Sequence, residues 1–129
     1  MHKGFLTTAA LLGLLSVGLG AFGAHGLKGM VSDHAVATFE TGVRYQFYHV
    51  FALLITAILY KEYNQPALIW AGRLFLAGIL LFSGSLYVLT FIQAAVKPGY
   101  LWVGAITPFG GVAFIAGWAL MFFAVTRNR

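Results

Sequence analysis

Hydrophobic residues occur in four long runs, separated by short polar or glycine-rich stretches. A membrane-spanning helix needs roughly 20 mostly apolar residues, and four segments reach that length, the second only when the polar residues at its start are included. The pattern therefore predicts an all-α fold, an integral membrane bundle of four transmembrane helices. One transmembrane domain accounts for the whole chain, residues 1–129, with spans expected at about 4–24, 44–63, 74–92 and 101–125.

Polar residues interrupt the start of the second run. Its cleanly apolar part, Val50 to Tyr60, is too short to cross a bilayer. The spanning helix must therefore include His49 and Gln46, and it reaches Arg44. Ionisable side chains at membrane depth are costly and usually face a protein interior or a water-filled cavity, which makes this helix the most informative one.

The second helix is expected to begin before the membrane. Ser32 or Asp33 is a suitable N-cap, because such side chains accept a hydrogen bond from the first free backbone N–H groups. Residues Asp33 to about Gly42 then form an amphipathic segment that lies at the membrane surface and leads into the second span.

Proline and glycine mark the starts of the other two helices. Pro66 is placed to begin the third helix. Thr107-Pro108 predicts a break, since threonine caps a helix and proline starts one. Residues Leu101 to Ile106 then form a bent turn or a re-entrant piece, and Gly110-Gly111 allows flexing or a close helix neighbour.

Small residues recur at helical spacing on the first and fourth helices. Such surfaces let helices approach closely in lipid. They are expected either to pack within the chain or to form a subunit interface. The residues concerned are Ser16, Gly20 and Ala24 on the first helix, and Ala113 and Gly117 on the fourth.

Composition agrees with a membrane protein and excludes several chemistries. The chain is 60% hydrophobic and 9% charged, and it contains no cysteine. The missing cysteines exclude disulfides, thiolate nucleophiles, iron–sulfur clusters and covalently attached haem. The net charge of +5 comes from basic residues scattered singly, so no nucleic-acid partner is expected.

The basic residues also predict an orientation. Five of them fall on the side of the two termini and three on the other side, which favours cytoplasmic termini in a bacterial cell (inner) membrane. The alternative for the first run is a cleavable signal peptide, although the run is longer than the apolar part of such peptides. The two groups are Lys3, Lys61, Arg73, Arg127 and Arg129, against Lys28, Arg44 and Lys97.

Candidate chemistry is concentrated on one face of the second helix. Glu40, Arg44 and Tyr48 stack at a spacing of four residues, and Tyr45 and His49 stack beside them. One interpretation is a buried Glu–Arg pair next to a titratable histidine, which binds a polar ligand or relays protons. The alternative is that Arg44 reaches the lipid headgroups, pairs with Glu40, and the tyrosines form an interfacial belt.

His25 follows the first span at the same side of the membrane as the start of the second, so it could approach His49. It is therefore a candidate ligand or proton relay. The other interpretation is that it hydrogen bonds to loop carbonyls. Neither a bis-histidine haem nor a zinc site is supported by the spacing, so no cofactor and no metal are expected.

Four sequence blocks resemble a known family. They are GAFGAHGLKG (Gly20 to Gly29), FETGVRYQFYHVFALL (Phe39 to Leu54), LFSGSLY (Leu81 to Tyr87) and ITPFGGVAFIAGW (Ile106 to Trp118). In this order they are similar to the small four-helix membrane proteins of domain of unknown function 423, whose eukaryotic relatives are called transmembrane protein 256. The resemblance implies a multi-pass membrane protein without an established activity.

Three functions are compatible with this sequence. The first is a small membrane scaffold or accessory protein, with membrane lipids and a possible homo-oligomer as partners. The second is an oligomeric transporter or channel for protons or a small solute, which uses the polar face of the second helix. The third is a membrane enzyme or ligand-binding protein with a site at the outer interface.

Overall fold

The computed structural model describes residues 1–94 and 98–127, and it contains four helices that are long and apolar enough to cross a membrane. Lys97 and Arg129, which contributed to the predicted orientation, lie outside the described residues. The protein is an all-α membrane bundle, as the hydrophobic pattern predicted. The elements are α1 (Lys3–Ala24), a 3₁₀ turn (Leu27–Gly29), α2 (Asp33–Tyr63), α3 (Pro66–Gly78), α4 (Gly84–Ala94), a 3₁₀ segment (Pro98–Ala105) and α5 (Thr107–Arg127).

Side-chain caps define the helix starts. Ser32 is the N-cap of α2, and its hydroxyl accepts a hydrogen bond from the Ala35 N–H at 3.2 Å. Pro66 is the first residue of α3. Both starts agree with the prediction. His2 caps α1, because its Nδ1 accepts the Phe5 N–H at 3.0 Å.

The amphipathic segment leads directly into the second span, as predicted. It forms the first turns of α2, which is 31 residues long, or about 46 Å at the usual helical rise. Val36 and Phe39 bury their side chains against Leu27 of the preceding 3₁₀ turn. Because this apolar face is already covered by the protein, the segment continues the helix instead of spreading on lipid.

Close packing of α1 on α2 uses small residues of α1. Ser16 is fully buried, and a Cβ on Gly20 would lie 3.5 Å from Val43. The predicted row fails at its end, since Ala24 is exposed and Gly23 takes the close contact instead, against Phe39. Gly23 follows Ser16 by seven residues, which is nearly two full helical turns, so the two residues lie on the same face of α1. Ala24 follows Ser16 by eight residues and is rotated away from that face.

The second close contact joins α3 and α5, which run antiparallel. Gly117 packs against the ring of Phe75, and Gly78 packs against the ring of Phe114. A side chain on either glycine would overlap the ring. Ala113 is also buried. The small residues predicted on the fourth helix thus pack within the chain.

A single π-helical turn, Ile79–Ser83, joins α3 to α4 into one continuous span. The Gly84 N–H donates to the Ile79 carbonyl, a bond across five residues instead of four. Within this turn the Ser83 hydroxyl donates to the Gly42 carbonyl of α2 at 2.7 Å. Such turns insert one extra residue into a helix and are frequent at functional sites.

The fourth span begins with the predicted break. Residues Pro98–Ala105 form a 3₁₀ segment, and α5 begins at Thr107. Thr107 does not act as the predicted cap, because it is already helical and its hydroxyl lies 2.6 Å from that of Ser85 on α4. Gly110 provides the predicted close contact, since a Cβ there would overlap the backbone of Phe82.

Helix α2 occupies the centre of this arrangement. It packs against α1, α3, α4 and, over a shorter stretch, α5. The main core lies where these helices meet, and its fully buried side chains include Leu53, Leu68 and Phe75. Every side chain on the inner face of α2 is therefore placed between other helices, which positions the site described below.

Candidate functional site

His25 lies outside the bundle. It ends α1, its side chain is exposed, and its Nδ1 lies 3.1 Å from the Ala21 carbonyl of the last helical turn. It does not approach His49. Gly23 is level with Phe39, and ten residues of α2, or about 15 Å, separate Phe39 from His49.

The predicted buried Glu–Arg pair is not formed inside the bundle. Glu40 and Arg44 are exposed, and Tyr45 and Tyr48 are 37% and 52% exposed. The reason is the rotation of α2, whose inner face is made by other residues of the same turns. Those residues are Phe39, Gly42, Val43, Gln46 and His49.

Among the residues predicted to bind a ligand or relay protons, His49 is the one that the bundle buries, with only 4% of its side chain exposed. The Trp118 Nε1–H donates to its Nε2 at 3.1 Å, and its Nδ1 lies 2.7 Å from the Tyr45 carbonyl. An indole nitrogen only donates, so Nε2 must be the acceptor and Nδ1 carries the proton. A neutral imidazole thus satisfies both bonds, and neither nitrogen is left to relay a proton.

Aromatic rings enclose this histidine. The ring of Phe114 stacks on the imidazole, with centroids 3.5 Å apart and an interplanar angle of 9°. Phe75 lies at 5.6 Å from the imidazole and at 5.3 Å from the Trp118 ring. Stacked and edge-to-face rings add to the burial energy and fix each other's orientation, so the histidine is held rigidly.

The site lies near the mid-height of the bundle. Gly13, near the centre of α1, faces Val50, the residue after His49, and Trp118 is near the centre of α5. The sequence predicted that His49 lies just inside the outer end of its span, whereas the structure places it near the middle of the long helix α2. The apolar run begins at Val50, but the helix begins 17 residues earlier than that.

A cleft of about 450 Å³ opens beside His49, between α2 and α5. Phe82 of the π-helical turn closes one end, with its ring centroid 4.7 Å from that of Tyr45. The walls are almost entirely carbon, because the polar atoms of His49 and Trp118 bond to one another. The lining residues are Tyr45, Tyr48, His49, Phe82, Gly111, Phe114, Ile115 and Trp118.

A second buried polar group links three helices. The Gln46 Nε2 donates to the Leu12 carbonyl of α1 at 3.1 Å, and its Oε1 accepts the Tyr87 hydroxyl of α4 at 2.6 Å. Both halves of the amide are thereby satisfied. This side chain is 3% exposed and fixes α1, α2 and α4 to one another.

Sequence reasoning missed the partners of these groups. Trp118 contacts His49 across 69 positions of sequence, so no local pattern joins them. A signal was nevertheless present: tryptophan is typical of membrane interfaces, and Trp118 falls near the middle of its span. Gln46 and Tyr87 are likewise polar residues within spans, where they need partners.

The arrangement suits binding better than bond chemistry. Among the residues described, no three histidine or acidic side chains come together to hold a metal ion. The histidine bonds to tryptophan and to a backbone carbonyl, which are neither nucleophiles nor bases. The site offers a rigid aromatic cleft at membrane depth.

Comparison with known proteins identifies the family. Residues 19–111 match the family model described as "Protein of unknown function (DUF423)". The chain belongs to the DUF423 family. This match includes α2, the π-helical turn and the first turn of α5, and therefore His49 and one end of the cleft.

Full-length relatives of this DUF423 member are bacterial membrane proteins. UPF0382 membrane protein SAB0533 of Staphylococcus aureus (strain bovine RF122 / ET3-1) is 45% identical over 97% of both chains. UPF0382 membrane protein YwdK of Bacillus subtilis (strain 168) is 44% identical over 97% of this chain and 98% of its own. UPF0382 membrane protein SH2409 of Staphylococcus haemolyticus (strain JCSC1435) is 43% identical over 92% of both.

No solved structure gives a significant match to the chain. The family membership confirms the resemblance seen in the sequence. The chain is a multi-pass membrane protein of a family without an established activity, and its function has to be argued from its own geometry.

Proposed function

We propose that the protein is a small accessory or scaffold protein of the bacterial cell membrane that neither transports solutes nor catalyses a reaction. One observation supports this most directly: all the polar side chains that the described core buries are used in hydrogen bonds within the chain. They are Ser16, Gln46, His49, Thr56, Ser83, Ser85 and Thr90.

A conduction pathway needs polar groups that are free to exchange protons or to bind a solute. The chain has three acidic side chains, Asp33, Glu40 and Glu62, and all three are exposed. His49 has both nitrogens bonded. The interior of the single chain is thus a fixed framework, which supports a structural role over the alternative of a transporter.

Proton flux in liposomes tests this proposal. The purified protein is reconstituted with a pH-sensitive dye inside, and a potassium gradient with valinomycin supplies the driving force. We expect the same proton influx as in empty liposomes, and the same from Glu40→Gln. Influx that depends on the protein and is lost in Glu40→Gln would overturn the proposal and favour the proton transporter.

We propose further that both termini face the cytoplasm. The end of the bundle that holds the N-terminus carries Lys3, Lys61, Arg73 and Arg127, whereas Lys28 and Arg44 are at or near the other end. Positive residues are enriched in cytoplasmic segments of membrane proteins.

The absence of natural cysteines makes this orientation easy to test. Met30→Cys lies in the exposed α1–α2 connection, and Glu62→Cys is exposed at the end of α2. We expect a membrane-impermeant maleimide to label the first variant in intact cells and the second only after lysis. The reverse pattern would place the termini outside.

Membrane lipids and a second copy of the chain are the partners that we propose. One side of α1 is free of other helices, and Leu11, Leu14 and Val17 are each at least 58% exposed there. Native mass spectrometry from detergent distinguishes the two: a monomer that retains phospholipid supports lipid contact alone, and a defined oligomer supports self-association.

A further inference from the structure

The cleft beside His49 exists because one residue of its wall has no side chain. A Cβ added to Gly111 would meet no atom within 4 Å, whereas one added to the neighbouring Gly110 would overlap the Phe82 backbone. Gly110 therefore allows α5 to approach the π-helical turn, and Gly111 leaves space beside that contact. The cleft is open where an ordinary side chain would occupy it.

The position of the cleft defines where an occupant comes from. It lies close to the mid-height of the bundle, beside His49 and Trp118, and its rim is made by the exposed side chain of Ile115, 70% accessible. An opening at this depth faces the hydrocarbon of the membrane and not water. Its occupant must therefore be soluble in the lipid phase.

The chemistry of the walls excludes a charged occupant. The lining side chains are aromatic or aliphatic, apart from His49, whose two nitrogens are bonded to Trp118 and to a carbonyl, and the remaining polar side-chain atoms are the uncharged hydroxyls of Tyr45 and Tyr48. A charged group placed there would lose its hydration without gaining a partner of opposite charge. The volume of about 450 Å³ is within the range of sites for small molecules.

The walls are also rigid. Phe114 stacks on His49 at 3.5 Å, and Phe82 lies 5.6 Å from Phe114, so that each ring is held by the next. A preformed cleft favours a rigid occupant, because a flexible acyl chain loses rotational freedom when it is ordered there and a fused ring does not. Flat rings also gain from stacking on aromatic faces.

We propose that this cleft binds the ring of a neutral, planar, membrane-soluble molecule. The ring stacks on the exposed part of Trp118 between Tyr45 and Ile115. Gly111 is the residue that admits it. This inference does not require the accessory role proposed above, since a binding site is compatible with either function.

Fluorescence of Trp118 provides the test. Trp70→Phe and Trp102→Phe remove the other two tryptophans, neither of which lines the cleft, and leave Trp118 as the only reporter. The protein is placed in liposomes of phosphatidylethanolamine and phosphatidylglycerol and titrated with 1,4-naphthoquinone, a neutral planar quencher. We expect saturable quenching, beyond the gradual quenching that partition into lipid produces.

A matched pair of glycine variants identifies the site. Gly111→Leu fills the cleft, and Gly18→Leu adds the same side chain on α1, where a Cβ also meets no atom within 4 Å. We expect Gly111→Leu to raise the half-saturating naphthoquinone concentration at least tenfold and Gly18→Leu to leave it unchanged. Should Gly111→Leu fail to fold, Ile115→Phe narrows the same cleft from its exposed rim without adding a tryptophan and is expected to weaken binding likewise.

Two results would overturn the inference. Quenching that stays unsaturated, or that is equal in Gly111→Leu and Gly18→Leu, would mean that no ring binds there. Phospholipid brominated on its acyl chain tests whether the cleft instead holds a lipid chain. This is the conclusion if the brominated lipid quenches Trp118 less in Gly111→Leu and naphthoquinone shows no saturable quenching. Proton flux in the same liposomes is scored separately, so a failure of the accessory role is distinguishable from a failure of this site.

Discussion

Replacing Gln46 by leucine is the sharpest test of how the bundle is held together. The substitution keeps the size of the side chain but removes the donor to the Leu12 carbonyl and the acceptor of the Tyr87 hydroxyl. The Leu12 carbonyl keeps a partner, since the Ser16 hydroxyl donates to it at 2.7 Å. The Tyr87 hydroxyl loses its hydrogen-bond acceptor.

The expected magnitude follows from these contacts. Interhelical hydrogen bonds in membranes contribute about 0.6 kcal/mol each, so two of them give about 1.2 kcal/mol. The partly buried Tyr87 hydroxyl, once it has lost this acceptor, adds up to about 1–3 kcal/mol. We therefore expect Gln46→Leu to lower the free energy of unfolding by about 2–4 kcal/mol, and Tyr87→Phe, which leaves the amide oxygen unpaired, by a similar or smaller amount.

The double variant Gln46→Leu/Tyr87→Phe leaves neither group unpaired. Its loss should be smaller than the sum of the single losses by at least about 1 kcal/mol. The measurement is reversible unfolding in mixed micelles on titration with dodecyl sulfate, followed by tryptophan fluorescence for the four proteins. Thr7→Val is the control, because the Thr7 hydroxyl bonds only within α1. If the two single losses simply add, the two side chains are not coupled and the reasoning is refuted.

Two further predictions compare neighbouring or similar residues in the same unfolding assay. Gly110→Ala should destabilise the protein by about 1–3 kcal/mol or more, because the added methyl group collides with the Phe82 backbone. Gly111→Ala should be neutral or stabilising by up to about 1 kcal/mol, because its methyl group enters open space and alanine favours the helix. Equal effects would contradict the close contact. His49→Ala should cost about 2–5 kcal/mol through the cavity it leaves, and His25→Ala at the exposed end of α1 less than about 1 kcal/mol; the opposite order would contradict the burial of the two histidines.

The helices could be predicted because their signals are local. An apolar run of span length, a serine before a helix and a proline at its first turn each determine their own neighbourhood, and Ser32 and Pro66 act as expected. The sequence alone could also have indicated that Gly23, and not Ala24, packs against α2, because helical geometry favours a spacing of seven residues over eight.

The site could not be predicted in the same way. Its position depends on the rotation of α2, which turns Glu40 and Arg44 outward and His49 inward. That rotation is set by packing against α4 and α5, through contacts such as Trp118 with His49, far apart in sequence. The π-helical turn has no periodic signal at all, because it results from one extra residue within an otherwise regular apolar run.

This extra residue gives the third span an unusual tolerance to changes in length. Deleting one residue within Ile79–Ser83 would convert the turn into ordinary α-helix and leave the hydrogen-bond ladder unbroken. The helix on either side would keep its rotation, because the turn already places five residues where an α-helix places four. Tyr87, which lies beyond the turn, would therefore stay opposite Gln46, whereas Phe82 and Ser83 within it would shift relative to the cleft and to the Gly42 carbonyl. A shortened chain would thus keep the buried polar link of Gln46 and lose only the contacts that the turn supplies, so this one turn confines a change in helix length to the neighbourhood of the site.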